Sequence, residues 1–376
     1  MKHTFVRSAI IAALAGLSAK AAPFMAVGDN AELFVTASAQ VQFDDNIYLD
    51  SGAVGQPKSN DAILSFTPGA DLVFGKGSST KGNAYFREEI RRYNDNENQN
   101  TELANVGVRS HFDNGVTKAD FNAAYAQVAQ NDNDVRKSGE IVRRDLTNLG
   151  ARGEFAFSEK TSFGAGLTYD KTEYDATGFV DSDIWALPLD VYFKATPKLD
   201  WSAGYRYRNS DLSGSGIDST DHFFNVGARG EFTPKMTGQL RLGYTDRSFD
   251  KGGSDSGFGL DGNVAFAASE KTSLRFNISN DFGSSGTGDS TKNFSLGLNA
   301  MSRVSEQLSL SGGLNYRKIK YSTRTDDFVE GLVAVTYSLN QMVNFGASYT
   351  YRDNSSSQSA AEFTNNVFSF GANIRY

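Results

Sequence analysis

Five short turns recur along this chain with nearly one chemistry: Phe157-Ser-Glu-Lys-Thr161, Ala195-Thr-Pro-Lys-Leu199, Phe232-Thr-Pro-Lys-Met236, Ala268-Ser-Glu-Lys-Thr272 and Val304-Ser-Glu-Gln-Leu308. They stand about 36 residues apart, room for one supersecondary unit per repeat. Each interval holds two stretches of alternating apolar and polar residues. A longer polar segment separates them, as in 214–221 (GSGIDSTD), 251–257 (KGGSDSG) and 284–291 (SSGTGDST). A propeller blade fits four short strands into a similar length, whereas each interval here fits two of about 12 residues. Long antiparallel strands, tightly turned at one end and loosely connected at the other, are the repeating unit of a membrane barrel.

Leu339-Asn340-Gln341 continues the series downstream, and Asp113-Asn114-Gly115 and Gly75-Lys76-Gly77 continue it upstream. Eight tight turns predict about 18 strands, with 16 as the alternative because the first hairpin is the least regular. In 199–208, Leu199, Trp201, Ala203, Tyr205 and Tyr207 oppose Asp200, Ser202, Gly204, Arg206 and Arg208. Side chains alternate across a strand, so each element has one apolar and one polar face. A soluble sandwich alternates too, with its apolar face turned inward. The aromatics separate the two. Phe155, Phe157, Phe193, Phe232 and Phe266 stand beside tight turns, and Tyr169, Tyr205, Tyr207, Tyr244, Tyr316, Tyr349 and Tyr351 near loose ends. Two such bands match the girdles at two membrane interfaces. The expected fold is all-β: a transmembrane antiparallel up-and-down β-barrel.

The chain opens with the features of an export signal: Lys2 and Arg7, an apolar core over Ala9–Leu17, and a small-x-small site at Ala19-Lys20-Ala21. The expected layout is a signal peptide over 1–21, cleaved near Ala21, a short lead over 22–31 and a single barrel over 32–376. No later apolar run approaches the about 20 residues of a membrane-spanning helix. The absence of cysteine excludes a disulfide framework, a thiolate nucleophile and a zinc–thiolate site. The last strand alternates Phe368, Phe370, Ala372, Ile374 and Tyr376 against Ser369, Gly371, Asn373 and Arg375. It resembles the closing strand of outer-membrane barrels, which implies that barrel-assembly machinery reads Phe368, Phe370, Ile374 and Tyr376. Its physical task is to pair with the first strand near 32–43 and so remove both sheet edges.

Parity places Arg87, Arg91, Arg109, Arg152, Arg206, Arg229, Arg241, Arg275, Arg303, Arg317, Arg352 and Arg375 on the lumen face. Glu89, Asp120, Glu154, Asp170, Asp190, Glu231, Asp261 and Glu330 share that face. Arginine is in modest excess there although the chain carries a net charge of -7, so the acidic surplus is expected in loops such as 94–98 and 131–134. A basic wall favours anionic solutes; the alternative is that these arginines pair with the lumen acids and only hold the wall in shape. A barrel near 18 strands is wide enough for an aqueous channel. Segment 44–61 is the longest candidate to fill it, so an open or partly constricted pore is expected.

After the signal only His111 and His222 remain, too few for a histidine-rich metal site, and no nucleophile elbow or phosphate loop occurs. Both read as lumen or rim residues. His222 beside Asp221 keeps a barrel hydrolase as a distant alternative. The expectation is no enzyme, no cofactor and no metal. Basic residues are spread one per strand, which argues against nucleic acid as a partner.

The exit from the first strand reads Phe43-Asp44-Asp45-Asn46-Ile47-Tyr48. This segment resembles the start of the beta-barrel porin 2 family of exopolysaccharide-associated outer-membrane barrels, although Asp-Asp-Asn is equally an ordinary turn signal. The resemblance implies a Gram-negative outer membrane, with lipid and lipopolysaccharide around the barrel and polysaccharide export components as partners. The expected function is a pore for passive diffusion or export of hydrophilic solutes, linked to exopolysaccharide secretion and mildly anion-favouring. A structural or adhesive surface barrel without an open pore is the alternative.

Overall fold

The structure, a computed structural model, describes residues 22–376; the signal segment and its cleavage near Ala21 lie outside the described residues. Nineteen strands make up almost all of it. They are β1 (Met25–Val27), β2 (Ala31–Asp44), β3 (Asp61–Phe74), β4 (Thr80–Tyr93), β5 (Thr101–Asp113), β6 (Thr117–Ala129) and β7 (Arg143–Ala156). Next come β8 (Thr161–Tyr174), β9 (Ser182–Thr196), β10 (Leu199–Leu212), β11 (Ser219–Thr233), β12 (Met236–Phe249) and β13 (Ser254–Ala267). The last are β14 (Thr272–Ser284), β15 (Ser290–Arg303), β16 (Leu308–Lys320), β17 (Thr325–Ser338), β18 (Val343–Ser356) and β19 (Phe363–Arg375). From β2 onward each strand pairs antiparallel with its sequence neighbour. β19 returns to β2 from Val367↔Asp44 to Arg375↔Thr36, closing an 18-strand barrel. Closure leaves no free sheet edge, the condition for placing strands in lipid.

The turn chemistry has a local cause. The Ser158 hydroxyl accepts from the N–H groups of Lys160 and Thr161 at 3.3 and 3.0 Å, and Ser269 and Ser305 repeat the arrangement. Thr196, Asn114 and Asn340 serve likewise in their turns. A short polar side chain two and three residues before two N–H groups satisfies donors that no ladder can reach.

The lead is not featureless. Met25–Val27 pair with Ala31–Leu33, making β1 a stub beside the lower end of β2. β19 stops one step above it, where Tyr376 and Val35 exchange backbone bonds of 2.9 and 2.7 Å. β1 therefore continues the ladder past the end of β19, and Phe24 packs edge-on against Tyr376 at 6.1 Å.

Outward side chains are apolar and exposed, as Val226 (64%) and Phe370 (61%) illustrate. The ninth residue of β6, β8, β10, β12, β16 and β18 is tyrosine: Tyr125, Tyr169, Tyr207, Tyr244, Tyr316 and Tyr351. These form a belt at the loop end, and three of them donate to an aspartate on the next strand: Tyr125 to Asp145, Tyr169 to Asp183 and Tyr316 to Asp327. An amphipathic ring with its hydroxyl turned to a carboxylate suits a membrane–water interface. In β4 and β14 the belt is broken by Glu88 and Asn280.

Candidate functional site

The inward faces carry the polar residues, and most of their charges meet. Arg87 bonds Asp71 at 2.7 Å, Arg91 bonds Glu89 at 2.9 Å and Arg352 bonds Glu330 at 2.9 Å. A larger cluster spans β7 to β12. Arg229 grips Glu154 with two bonds of 2.6 Å, reaches Asp200 at 3.0 Å and lies 3.3 Å over the Tyr192 ring. Arg152 and Arg241 share Asp190 at 2.7 and 3.2 Å, and both donate to the Tyr192 hydroxyl. Arg229 and Glu154 stand four strands apart, so they can touch only across the concave side; this fixes which face is the lumen. Arg109 and Arg275 occupy inward positions of β5 and β14, opposite Asn122 and Asn299 on neighbouring strands. Glu231 is held at the turn end by Lys198 at 2.8 Å. Below the large cluster a cavity of about 520 Å³ opens at the turn end, lined by Lys118, Lys194, Lys198, Arg229 and Asp200 among others.

Two members of these clusters, Asp71 and Asp281, were not singled out from sequence, and Asp200, Arg208, Asp221 and Arg247 were not counted among the lumen charges. The parity that marks the lumen arginines marks them too. Which cation meets which carboxylate depends on the curvature of the ring, which alternation does not encode.

Two segments fold into the mouth. Asp44 ends β2 with its carboxylate accepting from the Asn46 N–H at 2.8 Å and from the Asn365 amide at 2.6 Å. Asp45 clasps Asn366 through its backbone and side-chain nitrogens, both at 2.7 Å. Asn46, fully buried, donates to Asp50 and Thr364 carbonyls at 2.8 and 3.0 Å and accepts from the Asp50 N–H at 3.0 Å. The motif thus locks the closing seam and then turns the chain inward. Ile47 and Tyr48 pack with Tyr93, Leu103, Ala129 and Ile141, and Leu49 packs with Phe328 and Phe363. Phe43 stays outside, 58% exposed.

Segment 130–142 comes from the β6–β7 connection and reaches the far side of the ring. Asn131 donates to the Tyr48 carbonyl at 3.0 Å and Arg136 to the Leu49 carbonyl at 2.8 Å, tying the two segments together. Asn133 accepts from Arg317 on β16 at 2.5 Å, and Asp134 accepts from Tyr321 and from the Gly286 N–H, both at 3.0 Å. The acidic loop expected at 131–134 is thus found in the β6–β7 connection, but it does not stand free. Asn131 and Asn133 are buried, because the segment folds into the mouth instead of over the rim. Burial, then the neighbouring Asp134 carboxylate, pushes the Tyr321 phenol well above its ordinary value.

The wall parts at the loop end of the β13–β14 seam, and more briefly at β5–β6, where the ladder stops at Asn105↔Ala126. The β13–β14 ladder stops at Leu260↔Asn280. Above it β14 tucks inward, where Arg208 donates to the Phe282 carbonyl at 2.9 Å and Arg247 to the Gly283 carbonyl at 2.7 Å. Asp221 holds both arginines through their Nε atoms at 2.6 and 2.5 Å, and Asp281 accepts from Arg206 at 2.7 Å and Arg208 at 3.1 Å. Asp221 and Arg247 are essentially inaccessible.

The histidines form no catalytic group. His222 faces outward and bonds the Tyr205 hydroxyl at 2.8 Å, whereas Asp221 faces the lumen, as adjacent strand residues must. His111 faces Asp120 at 2.7 Å near the turn end.

Solved structures share the architecture at low identity. A BenF-like porin from Pseudomonas fluorescens Pf-5 matches with TM-score 0.50 at 11% identity, over 92% of this chain and 99% of that one. OccK9 (OpdG) of Pseudomonas aeruginosa matches with TM-score 0.49 at 11% identity, over 92% and 98%. OccAB4 of Acinetobacter baumannii matches with TM-score 0.47 at 10% identity, over 93% and 99%. At 11% identity the likeness to the BenF-like porin concerns the fold alone. No curated protein matches the chain in sequence. A family profile described as "Putative beta-barrel porin 2" spans residues 22–376, and with its closed 18-strand wall and polar lumen the chain belongs to that family of porin-like outer-membrane barrels.

Proposed function

We propose that the chain forms an outer-membrane channel for hydrophilic solutes whose extracellular mouth is closed at rest by its own segments 45–60 and 130–142. The observation that supports this is the combination of a polar, ion-paired interior with closure confined to one end. A ring of 18 strands is wide enough to leave water between such polar walls. Segment 130–142 meets the far wall through hydrogen bonds, Asn133–Arg317 and Asp134–Tyr321 among them, which can exchange with water.

The traffic we assign is anion-leaning. Arg275, Arg303 and Arg375 have no carboxylate partner among the described residues, and the cavity at the turn end presents Lys118, Lys194 and Lys198. The link to acidic exopolysaccharide rests on the family resemblance of the Phe43–Tyr48 motif. Reading of the terminal aromatic strand by assembly machinery rests on the alternation ending at Tyr376.

The test is single-channel conductance in planar bilayers under a salt gradient, comparing the full chain with a variant lacking 132–140. The full chain is expected to open rarely, and the shortened one to show stable large openings with an anion-leaning reversal potential. A folded shortened variant that never conducts overturns the channel. That outcome would favour a structural surface barrel, the reading to which the extensive lumen ion pairing otherwise points.

A further inference from the structure

The charges above the tyrosine belt are not spread evenly around the outside of the ring. On β16, Lys318 and Lys320 stand two and four residues beyond Tyr316, on the outward face that exposes Leu310 and Leu314. Lys292 on β15 is directly opposite Lys320, and Phe294 is opposite Lys318. Period-two alternation therefore puts all three lysines on the lipid side of the wall. They lie about 7 to 14 Å beyond the belt, measured along strands that tilt by about 40°. That is the depth of the polar headgroups. Other belt strands differ: β8 follows its tyrosine with Lys171 and Glu173, bonded to each other at 2.8 Å, β12 with Asp246 and β18 with Asp353.

Lysines that face each other across a ladder repel, because their Cβ atoms stand about 5 Å apart. The chain offers two carboxylates to the three ammonium groups. Asp255 reaches Lys292 at 2.6 Å, and Asp327 reaches Lys318 at 3.4 Å while also accepting from the Tyr316 hydroxyl at 2.5 Å. Asp289, in the β14–β15 connection, accepts from the Ser322 hydroxyl at 3.4 Å. Lys320 is exposed and has no carboxylate partner among the described residues. One positive charge is left over.

We propose that Lys292, Lys318 and Lys320 form a binding site for the phosphate headgroup of an anionic membrane lipid, seated on the outer wall with its tails lying along β15 and β16. An ammonium on a long flexible stem is a compact point charge that can reach upward from an apolar surface. Several such donors can converge on one phosphate, whose charged oxygens make the stronger class of hydrogen bond. The floor below fits the tails, since Leu296 is opposite Tyr316 and Leu298 is opposite Leu314 on the same outward face. A solute inside the lumen cannot reach this side of the wall.

The site rests on the placement of the barrel in a membrane and not on conduction. The chain has two tryptophans, Trp185 and Trp201. With both changed to Phe, Leu314→Trp places one fluorescent probe below the lysines. Leu242→Trp is the comparison, because Leu242 and Leu314 are each the seventh residue of their strands and Leu242 lies below Asp246. The full-length barrel is refolded in phosphatidylcholine vesicles that contain phosphatidic acid with brominated tails, which quench tryptophan on contact. Half-maximal quenching of the Leu314→Trp probe is expected at about fivefold less phosphatidic acid than the comparison needs, the factor for one unshared lysine beside a charged headgroup. Lys292→Gln/Lys318→Gln/Lys320→Gln should bring the two probes level. Brominated phosphatidylcholine should quench both probes alike in every variant, which also shows that each is inserted. Equal quenching by phosphatidic acid overturns the inference, and so does a difference that survives the three glutamines or appears with phosphatidylcholine as well. A difference erased by inorganic phosphate at constant ionic strength would assign the lysines to a free ion and overturn the lipid. If the channel reading alone is wrong, the quenching difference persists in a barrel that never conducts.

Discussion

Asn46 is the residue on which the mouth turns. Its side chain makes three hydrogen bonds with no access to water, and leaving buried polar groups unpaired costs about 1–3 kcal/mol each. Asn46→Ala is expected to destabilise the folded barrel by about 2–4 kcal/mol, read as a lower midpoint for heat-induced migration shift on gels. Phe43→Ala, three residues earlier on the lipid side, should scarcely move it. Asp44-Asp45-Asn46 is legible in the sequence as a turn, because Asx side chains bond their own backbone two residues on. Its clasp on Thr364, Asn365 and Asn366 is not legible. Those partners lie more than 300 residues away, and they become neighbours only when the ring closes.

Strands and turns are the most readable elements because their rules are local. Period-two alternation marks faces, and a Ser, Thr or Asn that caps two N–H groups marks six of the tight turns. The two mouth segments obey no period. Their conformation is decided by what the far wall presents, so the burial of 131–134 could not be read from NDND alone. The hook at Tyr321 gives this element a pH dependence. Its phenol is raised in the closed mouth, by burial first and by Asp134 next. The contact therefore contributes fully below the ordinary tyrosine value near 10 and is lost as pH climbs beyond it. Openings are expected to become more frequent only as pH climbs above about 10, and Tyr321→Phe should remove that step. An unchanged pH response in the variant would place the titration elsewhere.

At the scale of the molecule, eight turns suffice to count the ring, and 18 strands is what the structure shows. The charge of the lumen was harder to read, since an arginine on the inward face and an arginine available to a solute look alike in sequence. Asp190 neutralises both Arg152 and Arg241. Asp190→Asn is thus expected to shift the reversal potential toward anions, more at low than at high salt, as screening weakens exposed charges first. No shift in a folded, conducting variant would mean that solutes pass elsewhere in the cross-section.

The bonds that skip strands have a mechanical side. Arg229–Glu154 joins β11 to β7, Arg241–Asp190 joins β12 to β9, and Arg208–Asp281 joins β10 to β14. Each acts as a tie-rod across a chord, and a ring braced by chords resists being squeezed into an oval. Around the other arc the ion pairs of Arg87, Arg91 and Arg352 stay within a strand or reach the next one, and the cross-ring ties there, Asn133–Arg317 and Asp134–Tyr321, lie at the mouth. Lateral pressure from the bilayer should therefore deform the cylinder unevenly, flexing β15 to β6 below the mouth while β7 to β14 holds its shape.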